Sequence, residues 1–455
     1  MTFYPRTTLI ALVILSLLTV SLAQTQSPPK RKKVKNFGSS LKRLKWNPQK
    51  NAAEMSSEKP DTIADEGDVI RIDTSLVSSD LLVLDQHGKS ISGLTAENFA
   101  ITEDGVAQSV GHFLTGDNVN NPRTIVLLMD YSGSQMPYLY NSVQAAKVLV
   151  DKLGPKDLMA IVTDDVELIQ DFTTDKKKLK EKLDSLVDAI IGQRRPINDD
   201  GSIGHTEYVP RLGRSKQYSA LMATLKEVFQ EDDVRRIIIF QTDGDEAASL
   251  RNPKVEWKIP PGLKGKALKV AEEAMKLRNQ SAAMREAQFA LEDLYQAVEK
   301  ERVTLYTVIP GARLWGLPLD EQVRRISLNQ SVQTAGWMGH LSPRDRAQIK
   351  ERLEKDAMNV DETLLKSSAE LMSKQQAILA SLATVSGGWA DFLEVPEQAD
   401  AIYSRIFSDI NQRYIVGYYP TNKERDGKRR KIEIKVKGHP EYQVYGRLSY
   451  FAPEP

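Results

Sequence analysis

At 455 residues the chain is long enough for two or three domains, each with its own core. Its 41% apolar and 27% charged residues describe a soluble globular protein, and 62 basic against 61 acidic side chains exclude the charge bias of a nucleic-acid binder. The absence of cysteine excludes disulfides, thiolate metal sites and a cysteine nucleophile.

Arg6 precedes the apolar run Leu9 to Leu22, which closes on Ser21-Leu22-Ala23, small residues at the positions a signal peptidase reads. This predicts a signal peptide over 1–23 and export to the periplasm or the exterior. The run is shorter than the ~20 apolar residues of a spanning helix. Lys30 to Lys50 then carries nine lysines and arginines and no acid. Positive charge normally stays on the cytoplasmic side, so an uncleaved anchor in the reverse orientation is the alternative. Residues 24–66 read as a basic disordered linker, with weak contact to an anionic envelope surface as a second role.

From Asp68 the chain alternates apolar and polar residues, punctuated by His87-Gly88 and Asp104-Gly105. These are hairpin signals and predict a small antiparallel β unit of about four strands over 67–116. From 123 the pattern becomes strand–helix–strand. "TIVLLM", "LMAIVT", "RIIIFQ" and "VTLYTV" are continuous apolar runs, as expected of parallel strands covered on both faces. Leu139, Val143, Ala146, Val150 and Leu153 recur at helical spacing before Gly154-Pro155, and Tyr218, Leu221, Leu225 and Phe229 form a second stripe. The alternation predicts a doubly wound, mainly parallel α/β sheet over 123–412.

Two helical insertions are expected in it, near 246–300 and 316–380. Lys266 to Lys300 holds no Gly or Pro and reads as one helix roughly 50 Å long at 1.5 Å per residue. The second insertion reads as two helices, with Trp337-Met338 in the loop before one opened by Ser342-Pro343. A last helix carries Ile402, Ile406 and Ile410, and three β segments follow over 413–455.

The apolar strand "TIVLLM" runs directly into Asp130-Tyr131-Ser132-Gly133-Ser134. "RIIIFQ" runs into Thr242-Asp243-Gly244-Asp245, and Ser215 lies in the loop before the Tyr218 stripe. A divalent hard cation takes about six oxygens, and in an open α/β sheet ligands bind outside the carboxyl ends of the strands. Asp130, Ser132, Ser134, Ser215 and Asp243 are therefore the expected ligands of one divalent cation, Mg²⁺ first, with Mn²⁺ or Ca²⁺ as alternatives. Asp245 and Glu246 read as a solvated acidic turn.

The order Asp-x-Ser-x-Ser, hydroxyl loop, Thr-Asp-Gly resembles the metal-ion-dependent adhesion site of von Willebrand factor A domains. "VLDQHGKSISGLTAENFAITEDGVAQSVGHF" and "SGGWADF…RYIVGYYP…RRKIEIKVKG…YQVYGRLSYFAP" are similar to the von Willebrand factor A-related family of acidobacterial exported proteins. The resemblance spans about 68–455 apart from the insertions. It implies that Asp130, Ser132 and Ser134 form the first ligand loop and Asp243 the third. Ser215, in Gly213-Arg214-Ser215, falls where the family commonly has threonine in a Gly-Gly-Thr context, and Thr206 is a weaker substitute. It further implies a protein partner that offers an Asp or Glu to the metal, hence a binding and adhesion module rather than an enzyme.

The rival readings are a structural envelope scaffold with a vestigial site and a metal- or serine-dependent hydrolase. The second has little support, because Ser132 and Ser134 lack a nucleophile elbow and the five histidines are scattered, with only His205 near the second loop. Finally, 67–116 and 413–455 each alternate and each are too small to be stable alone. They are expected to pack together as one antiparallel β-sandwich-like domain, with the α/β domain inserted between them.

Overall fold

A computed structural model describes residues 31–55, 76–115, 122–192, 215–230, 233, 235–251, 258–284, 287–338 and 362–453. The signal peptide, residues 24–30 and 56–66 of the linker, His205, Thr206, Gly213-Arg214 and Ser342-Pro343 lie outside the described residues. Among the described residues no helix is long and apolar enough to cross a membrane. Residues 31–35, which hold no helix or strand, are the described part of a first unit, 1–35; residues 36–455 form the second unit.

Part of the expected linker is folded. Residues 36–55 form α1 (Ser39–Arg43) and a hairpin of β1 (Leu44–Asn47) with β2 (Ala52–Met55). The segment is polar, so its folding rests on specific bonds to the α/β domain rather than on a stripe of its own. Glu227 accepts the N–H groups of Gly38 (2.8 Å) and Ser40 (2.6 Å), Asp293 accepts that of Ala53 (3.1 Å), and Leu44 enters the core.

Next come β3 (Val77–Leu84), β4 (Phe99–Glu103), β5 (Val106–Gln108) and β6 (Val110–Thr115). Asp104 and Gly105 both take positive φ (48° and 84°), which turns β4 into β5 with the twist a two-residue hairpin requires.

The α/β domain opens with β7 (Arg123–Met129), α2 (Met136–Lys152), β8 (Leu158–Thr163), β9 (Glu167–Thr173) and α3 (Lys176–Gly192). It continues through α4 (Gln217–Glu227), β10 (Arg235–Gln241), α5 (Gly265–Met284), α6 (Leu291–Glu301), β11 (Val303–Pro310), α7 (Leu319–Met338), α8 (Glu362–Val385), β12 (Ala390–Leu393) and α9 (Ala399–Gln412). The strands stand in the order β12-β11-β10-β7-β8-β9, all parallel except the edge strand β9. Counted along the chain this is 3-2-1-4-5-6, the doubly wound order, with its switch point between β7 and β10. Successive side chains of β7 feed opposite faces: Ile125, Leu127 and Met129 pack under α2, α3 and α9, while Val126 and Leu128 pack under α4, α6 and α8.

The expected insertions are corrected in three ways. Lys266 to Lys300 is not one helix, because Ala290 (φ −94°, ψ 173°) is extended and bridges to Arg251 between α5 and α6. The Asp293 carboxylate caps the Ala290 N–H at 2.8 Å, and the break drives Phe289 and Leu291 into the core. In addition, α6 and α8 are the sheet's own crossover helices: Leu294, Val298, Leu379 and Leu382 line its core. Trp337-Met338 belong to the end of α7 and not to a loop.

The chain closes with β13 (Tyr414–Tyr418), β14 (Arg429–Val436), β15 (Gln443–Tyr445) and β16 (Ser449–Phe451). Two antiparallel sheets result, β15-β3-β13-β6 and β16-β14-β4-β5, each mixing strands from both flanks. The last segment thus supplies two strands to different sheets rather than one. Gly446 lets it pass between them, since a Cβ there would lie 2.3 Å from Leu81 Cδ2. Between the sheets lie Leu81, Val83, Phe99, Ile101, Val416 and Ile432. The buried Glu103 accepts the hydroxyls of Tyr418 (2.8 Å) and Tyr450 (3.0 Å).

The sandwich is tied to the amino-terminal edge of the parallel sheet by buried arginines. Arg413 donates to Asp409 (3.0 Å), Gly387 O (2.8 Å) and Asp80 O (3.1 Å), and Arg235 donates to Ile410 O (2.7 Å). On the other side, Glu299 of α6 accepts from Ser449 (2.6 Å) and Arg429 (2.5 Å).

Candidate metal centre

The switch point places two strand ends side by side. Beyond the last paired residues the ladder carries on one step: Asp130 N–H donates to Gln241 O (2.9 Å) and Thr242 N–H to Val308 O (3.1 Å). The loops after β7 and β10 therefore leave the sheet at one level. Asp130 is fully buried, and its Oδ1 accepts the Ser132 N–H at 2.9 Å, a local turn that folds the two serines back over the strand end. Its Oδ2 accepts the Thr242 hydroxyl at 2.9 Å, which joins the first loop to the third.

From there an oxygen chain runs outward. Ser132 Oγ and Ser134 Oγ are 3.2 Å apart, and Ser134 donates to Asp243 Oδ2 at 2.5 Å. Gly244 turns the third loop at φ +74°, where a Cβ would stand 2.8 Å from the Tyr218 hydroxyl. Only glycine meets both demands without strain. Asp130, Ser132, Ser134 and Asp243 thus share one point at the carboxyl edge. Ser215 is buried two residues ahead of Gln217 on the same edge, and the residue of α4 that reaches the carboxylates is Gln217.

The electrostatics are one-sided. Burial pushes the Asp130 carboxyl above its ordinary range, against hydrogen bonds from Ser132 and Gln217, and Asp245 adds repulsion. Burial, then Asp245 and Asp130, push Asp243 well above the usual carboxylate range. Asp164 and Asp165, at the end of β8, add acids to this edge; Tyr131 donates its N–H to Asp164 (3.2 Å) and its hydroxyl to Asp165 (2.8 Å).

The acidic turn at 245–246 divides. Asp245 is exposed, as expected, whereas Glu246 is fully buried and accepts the N–H groups of Tyr218 (2.6 Å) and Ser219 (3.1 Å) and the Ser219 hydroxyl (2.6 Å). It caps the orphan donors at the start of α4. Burial lifts its carboxyl to about 7.

Two further residues were not singled out from the sequence. Gln135, almost fully buried, donates to Asp243 Oδ2 at 3.0 Å. Gln217, fully buried, donates to Asp130 Oδ2 at 3.0 Å and to Asp245 Oδ1 at 2.7 Å. The available signal was polarity out of place, a glutamine directly after Asp-x-Ser-x-Ser and another directly before the apolar stripe of α4.

The donor set suits a hard divalent ion: two carboxylates carry the charge, and hydroxyl oxygens stand between them. Among the described residues no three His, Cys, Asp or Glu side chains form a metal cage by themselves. A cation at this edge would therefore depend on the serine hydroxyls.

No family model and no curated protein matches the chain. Solved structures do match. The conserved hypothetical protein BatB from Bacteroides thetaiotaomicron is 16% identical over 42% of this chain and 68% of its own, at TM-score 0.24. Proximal thread matrix protein 1 from the mussel byssus is 13% identical over 64% of this chain and 48% of its own, at TM-score 0.29, so the chain spans about half its length. The vWF domain of the type V pili tip protein Mfa5 from Porphyromonas gingivalis is 12% identical over 64% of this chain and 95% of its own, at TM-score 0.29. The doubly wound sheet, its antiparallel third strand and the strand order make the inserted domain von Willebrand factor A-like in fold.

Proposed function

We propose that this protein is an exported, divalent-cation-dependent protein-binding module of the bacterial envelope or exterior. Asp130, Ser132, Ser134 and Asp243, with Ser215 from the second loop, would hold the cation, Mg²⁺ in the first place. The observation that carries the reading is the carboxylate–hydroxyl–hydroxyl–carboxylate chain at the switch point, where charge is buried without a basic partner in the hydrogen bonds that build it. A fully buried carboxylate such as Asp130, with the half-buried Asp243 beside it and no cation to match them, is costly. A cation offsets the cost and gives the cluster a use.

The two carboxylates neutralise a 2+ ion. Where one of them acts through water, the ion keeps net positive character and a position that an Asp or Glu of a partner fills. Membership of the acidobacterial exported family belongs to this proposal, as does cleavage of the leader after Ala23. Ser132 gives its backbone N–H to Asp130, its hydroxyl meets that of Ser134, and Ser134 donates to Asp243, which leaves hydroxyl lone pairs for a cation.

The test is Mg²⁺ titration of the full chain by calorimetry, with Asp130→Ala and Asp243→Ala beside it. Stoichiometric binding that both variants lose is expected. Binding by the wild type that both variants retain would overturn the reading in favour of a scaffold.

A further inference from the structure

Gln217 holds an unusual position for an amide. Its Nε2 lies 2.7 Å from Asp245 Oδ1, 3.0 Å from Asp130 Oδ2 and 3.5 Å from Asp243 Oδ1, so one neutral NH₂ group faces three carboxylates. Its Oε1 accepts the Glu246 N–H at 3.1 Å, which fixes the amide's orientation and leaves the nitrogen no choice but the acids.

Each carboxylate oxygen has two lone pairs. Asp130 Oδ2 already accepts from Thr242 and from Gln217. On Asp243, Oδ2 accepts from Ser134 and Gln135, and Oδ1 from the Asp245 N–H (3.3 Å) and from Gln217. The amide thus occupies Asp130 Oδ2 and Asp243 Oδ1, one oxygen of each carboxylate on which a cation would draw. A second observation points the same way. Gln135 Oε1 is buried with no protein partner among the described residues, although its own nitrogen is bonded to Asp243 and Ser134. A buried carbonyl oxygen at that place suits an electropositive ligand.

We propose that Gln217 is an internal competitor of the cation. Its amide gathers Asp130, Asp243 and Asp245 in the cation's stead and sets the concentration at which the site loads. The inference rests on the cation-binding reading above and adds a consequence. Loading releases Asp245, which is exposed beside the site, so occupancy alters the charge presented to a partner. The bland alternative is that Gln217 is a strut that positions Asp130 for the metal. The two make opposite predictions. Removing a competitor tightens binding, whereas removing a strut weakens it.

The experiment is Mg²⁺ titration of wild type, Gln217→Met and Gln217→Ala by calorimetry, with thermal melts in chelator and in Mg²⁺ and with Asp130→Ala as reference. Methionine keeps the length and packing of glutamine and donates nothing; alanine introduces no new contact and checks against misfolding. We expect both variants to bind Mg²⁺ at least tenfold more tightly than wild type, to melt lower in chelator and to gain more from Mg²⁺. A silent wild type with binding variants also supports the proposal. Binding equal to or weaker than a binding wild type overturns this inference alone and leaves the metal site standing. No binding by any of the proteins overturns both.

Discussion

The two edges of the parallel sheet handle buried charge in opposite ways. At the amino-terminal edge every buried acid described above meets an arginine. Arg123, the first residue of β7, forks onto Asp157 through Nε (2.9 Å) and Nη2 and also reaches Asn411. Arg413 pairs with Asp409, both almost fully buried. At the carboxyl edge, Asp130 and Glu246 are fully buried and Asp243 is half-buried, and all three are met by amides, hydroxyls and backbone N–H groups. The lesson is that burial alone does not mark function. Where the charges are matched the edge is a lock that fastens the sandwich to the domain; where they are unmatched the edge is poised to take up a cation.

The largest way to break this contrast is at the lock. Asp157→Ala leaves the Arg123 guanidinium buried without its carboxylate, and loss of one partner of a buried pair costs about 3–5 kcal/mol. Urea unfolding should show that loss. A change below about 1 kcal/mol would mean that this edge of the sheet is not held by charge pairing. The pH dependence has a definite sign. Burial opposes it, but the Arg123 guanidinium holds the Asp157 carboxyl below its ordinary value, so its stabilisation is present above the unfolded pKa and is lost as pH falls through the folded one.

Glu246 sharpens the comparison with the reverse sign. Its carboxyl is lifted by burial from the ordinary glutamate range to about 7, so the folded state binds a proton that the unfolded chain releases. Stability from this group is greatest below the unfolded pKa, declines as pH rises to about 7, and is flat beyond. At 1.36 kcal/mol per pKa unit the decline is roughly 2–4 kcal/mol. Chemical denaturation in chelator between pH 5 and 8 measures it, and Glu246→Gln should lessen that slope, leaving the part that the raised carboxyls of Asp130 and Asp243 contribute. An unchanged slope in the variant would assign the decline elsewhere.

The smallest effect is expected at the metal edge itself. Asp130→Asn removes one charge from a repelling group while retaining a side-chain oxygen for Ser132. In chelator the relief of repulsion opposes the loss of the Gln217 bond at the new NH₂ group, so stability should change by less than about 2 kcal/mol, yet the stabilisation by Mg²⁺ should vanish. A loss as large as that of Asp157→Ala would place Asp130 among the structural charges and erase the contrast between the edges.

Much of the architecture was legible because it rests on periodicity. A run such as "TIVLLM" has to be covered on both faces, and an alternating run such as "RRKIEIKV" on one, wherever they lie in space. The edge strand β9 was missed because "ELIQDFT" is neither long nor cleanly alternating, and its place is set by pairing with β8. The two helices beside the Ala290 break were read as one because the break is made by the Asp293 cap and the burial of Phe289, with no Gly or Pro to announce it. The strap at 36–55 was read as linker because its order comes from Glu227 and Asp293, which are 187 and 240 residues away in sequence from the groups they bind.

What the sequence determined by itself is the set of local patterns: a strand that must be buried, a helix face that must be covered, and three loops carrying hard oxygen ligands. Those follow from side-chain period and residue chemistry, which act over a few neighbours. Which oxygens touch, which acids are paired, and that an amide from α4 stands among three carboxylates were decided only by the tertiary fold. The physical reason is that hydrogen bonds and desolvation act over about 3 Å in space, and only the winding of the sheet brings Asp130, Gln217 and Asp243 within that reach.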